Sequence, residues 1–160
     1  MPFCSGPRGR NCSDPSSDYM RLYNASATAI KGVDRNLMVG GPATAMLGNV
    51  GDFVRVCQDS KIPFDFVSTH HYPNDAICPS HQQWNPDCFA DNVRKARAHV
   101  AASGAEFYMT EYSNSYMVSR GTEHDTSEAA AFAMRQVGVL SQQVDMLSWW
   151  TFSGETTDIM

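Results

Sequence analysis

The sequence predicts an α/β fold built on a parallel sheet, and three observations carry that expectation. Segments with apolar residues at three- and four-residue steps alternate with short apolar runs. The first of those runs, Leu37-Met38-Val39, is unbroken, as in a buried strand. Short returns join each helix to the next strand, which is the pattern of strands linked by crossover helices.

The elements follow in order. Tyr19, Leu22, Tyr23, Ser26, Ile30 and Val33 fall on one helical stripe. Leu37-Met38-Val39-Gly40-Gly41-Pro42 reads as a buried strand closed by turn residues. Val50, Phe53, Val54 and Cys57 mark a second helix, and Phe64-Asp65-Phe66-Val67-Ser68 opens a second strand. A long loop between Tyr72 and Pro86 follows, containing Cys78 and His81. Phe89, Val93, Ala96 and Val100 predict a helix that Gly104 stops, and Phe107-Tyr108-Met109-Thr110 a third strand. Asp125-Thr126-Ser127-Glu128 has the form of an N-cap followed three residues later by an acid, and opens a helix expected to bury Phe132, Val137, Leu140 and Val144. Met146-Leu147-Ser148-Trp149-Trp150-Thr151-Phe152 is the fourth strand. Periodicity alone leaves a doubly wound sheet and a (β/α)8 barrel both open.

Composition narrows the function classes. A net charge of −5 disfavours nucleic acid and anionic membrane surfaces as partners, since neither attracts a net-negative chain. No apolar stretch approaches the roughly 18 to 20 residues of a membrane span, and 42% apolar residues argue for a packed core. Residues 1–18 read as a loop without the apolar stretch of a signal peptide, as expected of a piece of a longer chain. Among five cysteines, Cys4/Cys12 and Cys78/Cys88 could each close a local disulfide, and Cys57 sits on an apolar helical face. With the sequons at Asn11 and Asn24, these point to an extracellular or secretory-pathway protein.

In both parallel folds the chemistry gathers where strands end and βα loops begin. Reading off those ends gives Gly40-Gly41-Pro42, His70-His71-Tyr72-Pro73, Glu111-Tyr112-Ser113-Asn114 and Trp149-Trp150-Thr151-Phe152-Ser153. A carboxylate directly after a buried strand, such as Glu111, is costly to place unless it is used or paired.

These residues carry a resemblance. Leu22 to Lys31, Val39-Gly40-Gly41-Pro42-Ala43-Thr44, Asp65 to Pro73, Thr110-Glu111-Tyr112 and Ser148 to Ser153 together look like glycoside hydrolase family 39, the β-xylosidases and α-L-iduronidase. His-x-Tyr-Pro and Trp-Thr-Phe-Ser lean to the β-xylosidase branch. The resemblance implies a (β/α)8 TIM-barrel glycosidase fold, with residues 19–160 as its C-terminal half from the helix before strand five through strand eight. It implies a retaining double displacement on a xyloside-like glycoside, with Glu111 as nucleophile and His70, Tyr72 and Trp150 lining the sugar subsite, and no cofactor or metal. The family's Asn-Glu-Pro motif, which holds the acid/base glutamate, has no counterpart, because no Asn-Glu pair occurs in the chain.

A rival reading is a non-catalytic carbohydrate- or metal-binding α/β module, with His70, His71, Cys78, His81 and Cys88 as possible metal ligands. Their spacing lacks the short cysteine pairs of structural zinc sites. Gly40-Gly41 is a weak phosphate cradle, since Pro42 removes a backbone donor. Arg94-Lys95-Ala96-Arg97 reads as a solvated helix face, and Glu106, Glu123 and Glu128 as strand-entry, loop and helix-cap acids.

Overall fold

The computed structural model describes residues 12–117, 124 and 126–150, and in it helices and strands alternate in the expected order. They are α1 (Asp18–Val33), β1 (Gly40–Thr44), α2 (Val50–Ser60), β2 (Phe66–His70), α3 (Pro86–Ala101), β3 (Glu106–Tyr112), α4 (Ser127–Leu140) and β4 (Met146–Trp149). All strands are parallel, in the order β1-β2-β3-β4. A doubly wound sheet reverses its strand order at a switch point, whereas a barrel adds each strand beside the last. The unbroken order is therefore that of a barrel segment.

Local chemistry sets the helix ends. The Ser17 hydroxyl accepts the Met20 N–H at 3.2 Å, and the Asn85 amide oxygen accepts the Asp87 N–H at 2.8 Å ahead of Pro86 in the first turn. Thr126 caps α4 by accepting the Ala129 N–H at 3.1 Å, one residue later than the sequence pattern suggested. Asp125 itself lies outside the described residues. At Gly40 a Cβ would meet the Phe66 carbonyl oxygen at 2.3 Å, so glycine is what lets β1 lie against β2.

Two apolar faces differ from expectation. α1 buries Met20 and Ala27, with Tyr19 and Tyr23 packed on the core, while Leu22, Ile30 and Val33 are exposed, Val33 by 83%. α4 buries Leu140 and, just past its end, Val144 is covered, but Val137 faces outward. Strand pairing also begins only at Gly40, opposite Phe66, so Leu37 and Met38 stay exposed before the sheet starts.

The core lies between the sheet and α2 and α3. Val50, Phe53 and Val54 meet Val67, Phe89, Val93, Val100, Phe107 and Met109 in one cluster. The Phe53 ring takes edge-on contacts from Tyr23 at 4.9 Å and Phe64 at 6.0 Å. Deleting one such ring costs about 3–5 kcal/mol.

At the opposite end of the sheet from the βα loops, two aspartates stitch strand entries together. Asp65 accepts the Val39 N–H at 2.7 Å and pairs with Lys31 at 2.7 Å. Asp145 accepts the Phe107 N–H at 2.7 Å and pairs with Arg97 at 3.2 Å. Each carboxylate ties the start of one strand to the chain entering its neighbour.

Cys57 is free and 1% exposed, and burial raises its thiol to about 12. The folded state thus holds this proton more tightly than the unfolded chain, so its contribution is complete below pH 9 and is lost as pH climbs from there toward 12. Urea unfolding at pH 8, 9 and 10 is expected to show stability falling by up to about 1.4 kcal/mol per pH unit from this group. Cys57→Ala should flatten that slope; an equal slope in the variant would refute the assignment.

Candidate active site

The βα loops after β2 and β3 meet because their strands are neighbours. The pairing runs from Phe66 opposite Glu106 to Thr69 opposite Met109, then shifts by one residue so that His70 stands opposite Glu111. Thr110 is the residue passed over. Its hydroxyl donates to the Thr69 carbonyl at 3.1 Å and lies 3.0 Å from His70 Nδ1. One extra residue at a strand end re-aims the side chain that follows it. The His71 N–H then donates to the Glu111 carbonyl at 3.2 Å and extends the pairing past the strand.

Glu111 is held from one side. The Tyr72 hydroxyl donates to Glu111 Oε2 at 2.7 Å. His70 Nε2 lies 3.5 Å from Oε1, longer than a formed hydrogen bond. The contact between His70 Nδ1 and the Thr110 hydroxyl, itself bonded to Thr69, fixes the imidazole with its Nε2 edge toward Glu111. The His70 and Glu111 side chains are 21% and 26% exposed. Oε1 thus lies at the rim beside His70, without the short bond that Tyr72 makes to Oε2.

The Tyr72 phenol is held well above the usual phenol range. Burial is the largest cause, followed by its bond to Glu111 and the charges of Glu111 and Asp75. It remains a proton donor throughout the neutral range.

His71 has a different place from its neighbour. Its ring is fully buried and stacks on Phe89 with centroids 4.8 Å apart. Its Nδ1 lies 2.8 Å from Asp75 Oδ2, which also accepts the Tyr72 N–H at 2.8 Å. Asn74 binds the β3 loop, its amide donating to Ser115 Oγ at 3.1 Å and its oxygen accepting the Tyr116 N–H at 3.2 Å. Tyr116 in turn meets Tyr72 edge-on at 6.0 Å.

The structure thus brings His70, Tyr72 and Glu111 together. Trp150 reaches the same rim through its backbone, the N–H donating to the Tyr112 carbonyl at 2.9 Å, and its indole is exposed. Cys78 and Cys88 are joined in a disulfide, which removes both thiolates from the metal-ligand set considered above. Among the described residues no three His, Cys, Asp or Glu side chains cluster as a metal site. Cys12 is also disulfide-bonded, and Cys4 lies outside the described residues. Gly40 and Gly41 lie inside β1 rather than in a turn that closes it, because β1 runs on to Thr44, and the protein's own groups crowd them, Phe66 against Gly40 and the Tyr19 hydroxyl against Gly41.

A cleft of about 360 Å³ opens beside the rim, lined by Pro73, Trp84, Pro86, Asn114, Phe132 and Arg135 among others, and Glu111 is not part of its wall. Asp75, Thr110 and Asn74 escaped the sequence reading. Only the Asn74-Asp75 pair in a turn-rich stretch hints at the first and last, through the tendency of such side chains to bond nearby backbone.

The sequence as a whole matches known proteins. The family model described as glycosyl hydrolases family 39 matches residues 10–158. The chain belongs to glycosyl hydrolase family 39. It is 32% identical over 149 residues to a beta-xylosidase of Geobacillus stearothermophilus, covering 85% of this chain and 29% of that one. A beta-xylosidase of Caldicellulosiruptor saccharolyticus is 33% identical over 144 residues with the same coverage. The crystal structure of a monomeric beta-xylosidase from Caulobacter crescentus superposes with a TM-score of 0.73 at 33% identity, over 84% of this chain and 29% of that one. This family 39 chain therefore spans under a third of the length of these relatives, and its four-stranded sheet is a segment of their (β/α)8 barrel.

Because Glu111 contributes to the raised Tyr72 phenol, Glu111→Gln should lower it. In an NMR titration of chain labelled at tyrosine Cζ, the Tyr72 signal, assigned by its loss in Tyr72→Phe, should stay protonated past about pH 10. It should titrate earlier in Glu111→Gln; an unmoved titration would refute the contact.

Proposed function

We propose that this chain supplies the nucleophile side of a retaining glycosidase acting on a xyloside-like glycoside, with Glu111 as nucleophile. The observation that carries this reading is the asymmetric hold on Glu111, with Tyr72 bonded to Oε2 at 2.7 Å and Oε1 open beside His70. A nucleophilic carboxylate needs one oxygen fixed and one with free lone pairs. Oε1 bonds to the anomeric carbon as the glycosidic C–O bond breaks, and the departing oxygen takes a proton from a second carboxylic acid. Water then attacks the same carbon, the second carboxylate accepts its proton, and Glu111 is released. In retaining enzymes the two carboxyl groups stand roughly 5–5.5 Å apart.

No Asn-Glu pair occurs in this chain, so the proton donor is assigned to residues outside it. The exposed apolar residues of α1 support a working unit in which further barrel elements cover them. His70 and Trp150 line the sugar, the indole offering a flat apolar surface to the ring. The Cys78–Cys88 disulfide supports folding in an oxidising compartment, consistent with a secreted or secretory-pathway protein.

A 2,4-dinitrophenyl 2-deoxy-2-fluoro-xyloside tests the nucleophile without the proton donor, because dinitrophenolate leaves unprotonated. The expected result is one fluoroxylosyl group on the tryptic peptide 98–120, at Glu111, and none on Glu111→Gln. Modification of another carboxylate, or sugar binding without any covalent product, would overturn the assignment.

A further inference from the structure

Asp75 is the carboxylate that the reading above does not use. Its side chain is only 7% exposed, and a carboxylate so placed is tolerated only where N–H or O–H donors replace its water. Both donors converge on one oxygen, Oδ2, which takes His71 Nδ1 and the Tyr72 N–H at 2.8 Å each. The Asp75 N–H also donates back to the Tyr72 carbonyl at 3.1 Å, closing a tight turn from Tyr72 to Asp75. His71 is immobilised in its turn, stacked on Phe89 of α3 and bonded through its backbone to the Glu111 carbonyl.

We propose that Asp75 is a positioning residue, which fixes the Tyr72 phenol on Glu111 through the Tyr72 N–H and the His71 ring. The proposal rests on Glu111 as nucleophile only for its effect on rate; the coupling itself can be read without turnover. The one polar side-chain partner of His71 among the described residues is Asp75. The His71 Nδ1 stands 2.8 Å from a carboxylate oxygen and so donates to Asp75, while its Nε2 is buried with no partner among the described residues. The order of restraint runs from the α3 core through His71 to Asp75, then to the Tyr72 backbone, and from the Tyr72 hydroxyl to Glu111. Among the described residues Asp75 makes no hydrogen bond to the carboxylate of Glu111, whose bond comes from the Tyr72 hydroxyl, so it acts through Tyr72.

The test is a set of mutant cycles on the 160-residue chain, read in two ways. At neutral pH, Glu111→Gln is expected to shift the Tyr72 Cζ resonance of the otherwise native chain. That response should vanish in the Asp75→Ala background and persist in Asp75→Asn, whose amide oxygen can accept the same two N–H groups. With the dinitrophenyl fluoroxyloside, Asp75→Ala should slow modification of Glu111 at least about tenfold, and should add little once Tyr72→Phe is present.

His71→Phe keeps the ring on Phe89 and deletes only the bond to Asp75. It should weaken both readouts partially, and it carries the test if Asp75→Ala fails to fold. A folded Asp75→Ala chain that keeps the resonance response overturns the proposal, as does an unchanged response in His71→Phe. Labelling losses that simply add between Asp75→Ala and Tyr72→Phe also overturn it, while leaving Glu111 as nucleophile. Resonance coupling that depends on Asp75, in a chain that is never labelled, supports the positioning role and counts against Glu111 as nucleophile.

Discussion

The pairing of β2 with β3 is the constraint on which the rest of the site depends. Parallel strands present their C-terminal ends on one rim, so the register of a single ladder decides which side chains can meet there. Here the ladder keeps step from Phe66 to Thr69 and then loses one residue at Thr110. In step, Thr110 would stand opposite His70. Out of step, Glu111 does, and its carboxylate comes within 2.7 Å of the Tyr72 hydroxyl. Thr110 is bonded in its displaced position to both Thr69 and His70, which holds the shift in place.

The same rim holds two carboxylates in opposite circumstances. Asp75 is buried, with two N–H donors on one oxygen, an arrangement that suits a structural anion. Glu111 is partly open, with one hydroxyl donor and a histidine 3.5 Å away that does not complete a bond. Satisfied lone pairs are poor nucleophiles and exposed ones are poorly aimed. Glu111 has one oxygen of each kind, and that division follows from the rigidity of the loop carrying Tyr72.

The fold was legible because strand and helix periods differ, and the type and order of the α-helices and strands can be read from their apolar spacing, though not the short 3-10 turns at Ala45–Leu47 and Ser80–Gln82. Its apolar faces were less so. Leu22, Ile30 and Val33 obey the helical period as well as any buried stripe, yet α1 turns Met20 and Ala27 to the core. Periodicity marks a face that avoids water and is silent about what covers it. Similarly, the strand beginning was read at Leu37, whereas ladder bonds begin where Gly40 permits close approach to Phe66.

Site residues were legible where chemistry and position coincided, and not where position alone gave the role. Glu111 stands out as an acid directly after a strand, and Tyr72 as a phenol on the neighbouring loop. Asp75 carries no such mark: an acid in a loop with three prolines is ordinarily solvated. What distinguishes it is the turn that folds it back under Tyr72, and the burial of the adjacent histidine on Phe89. His70 and His71 make the same point in two consecutive residues of one type. Neighbours on an extended chain face opposite ways, so one histidine meets the carboxylate and the other enters the core, and only the local end of β2 decides which is which.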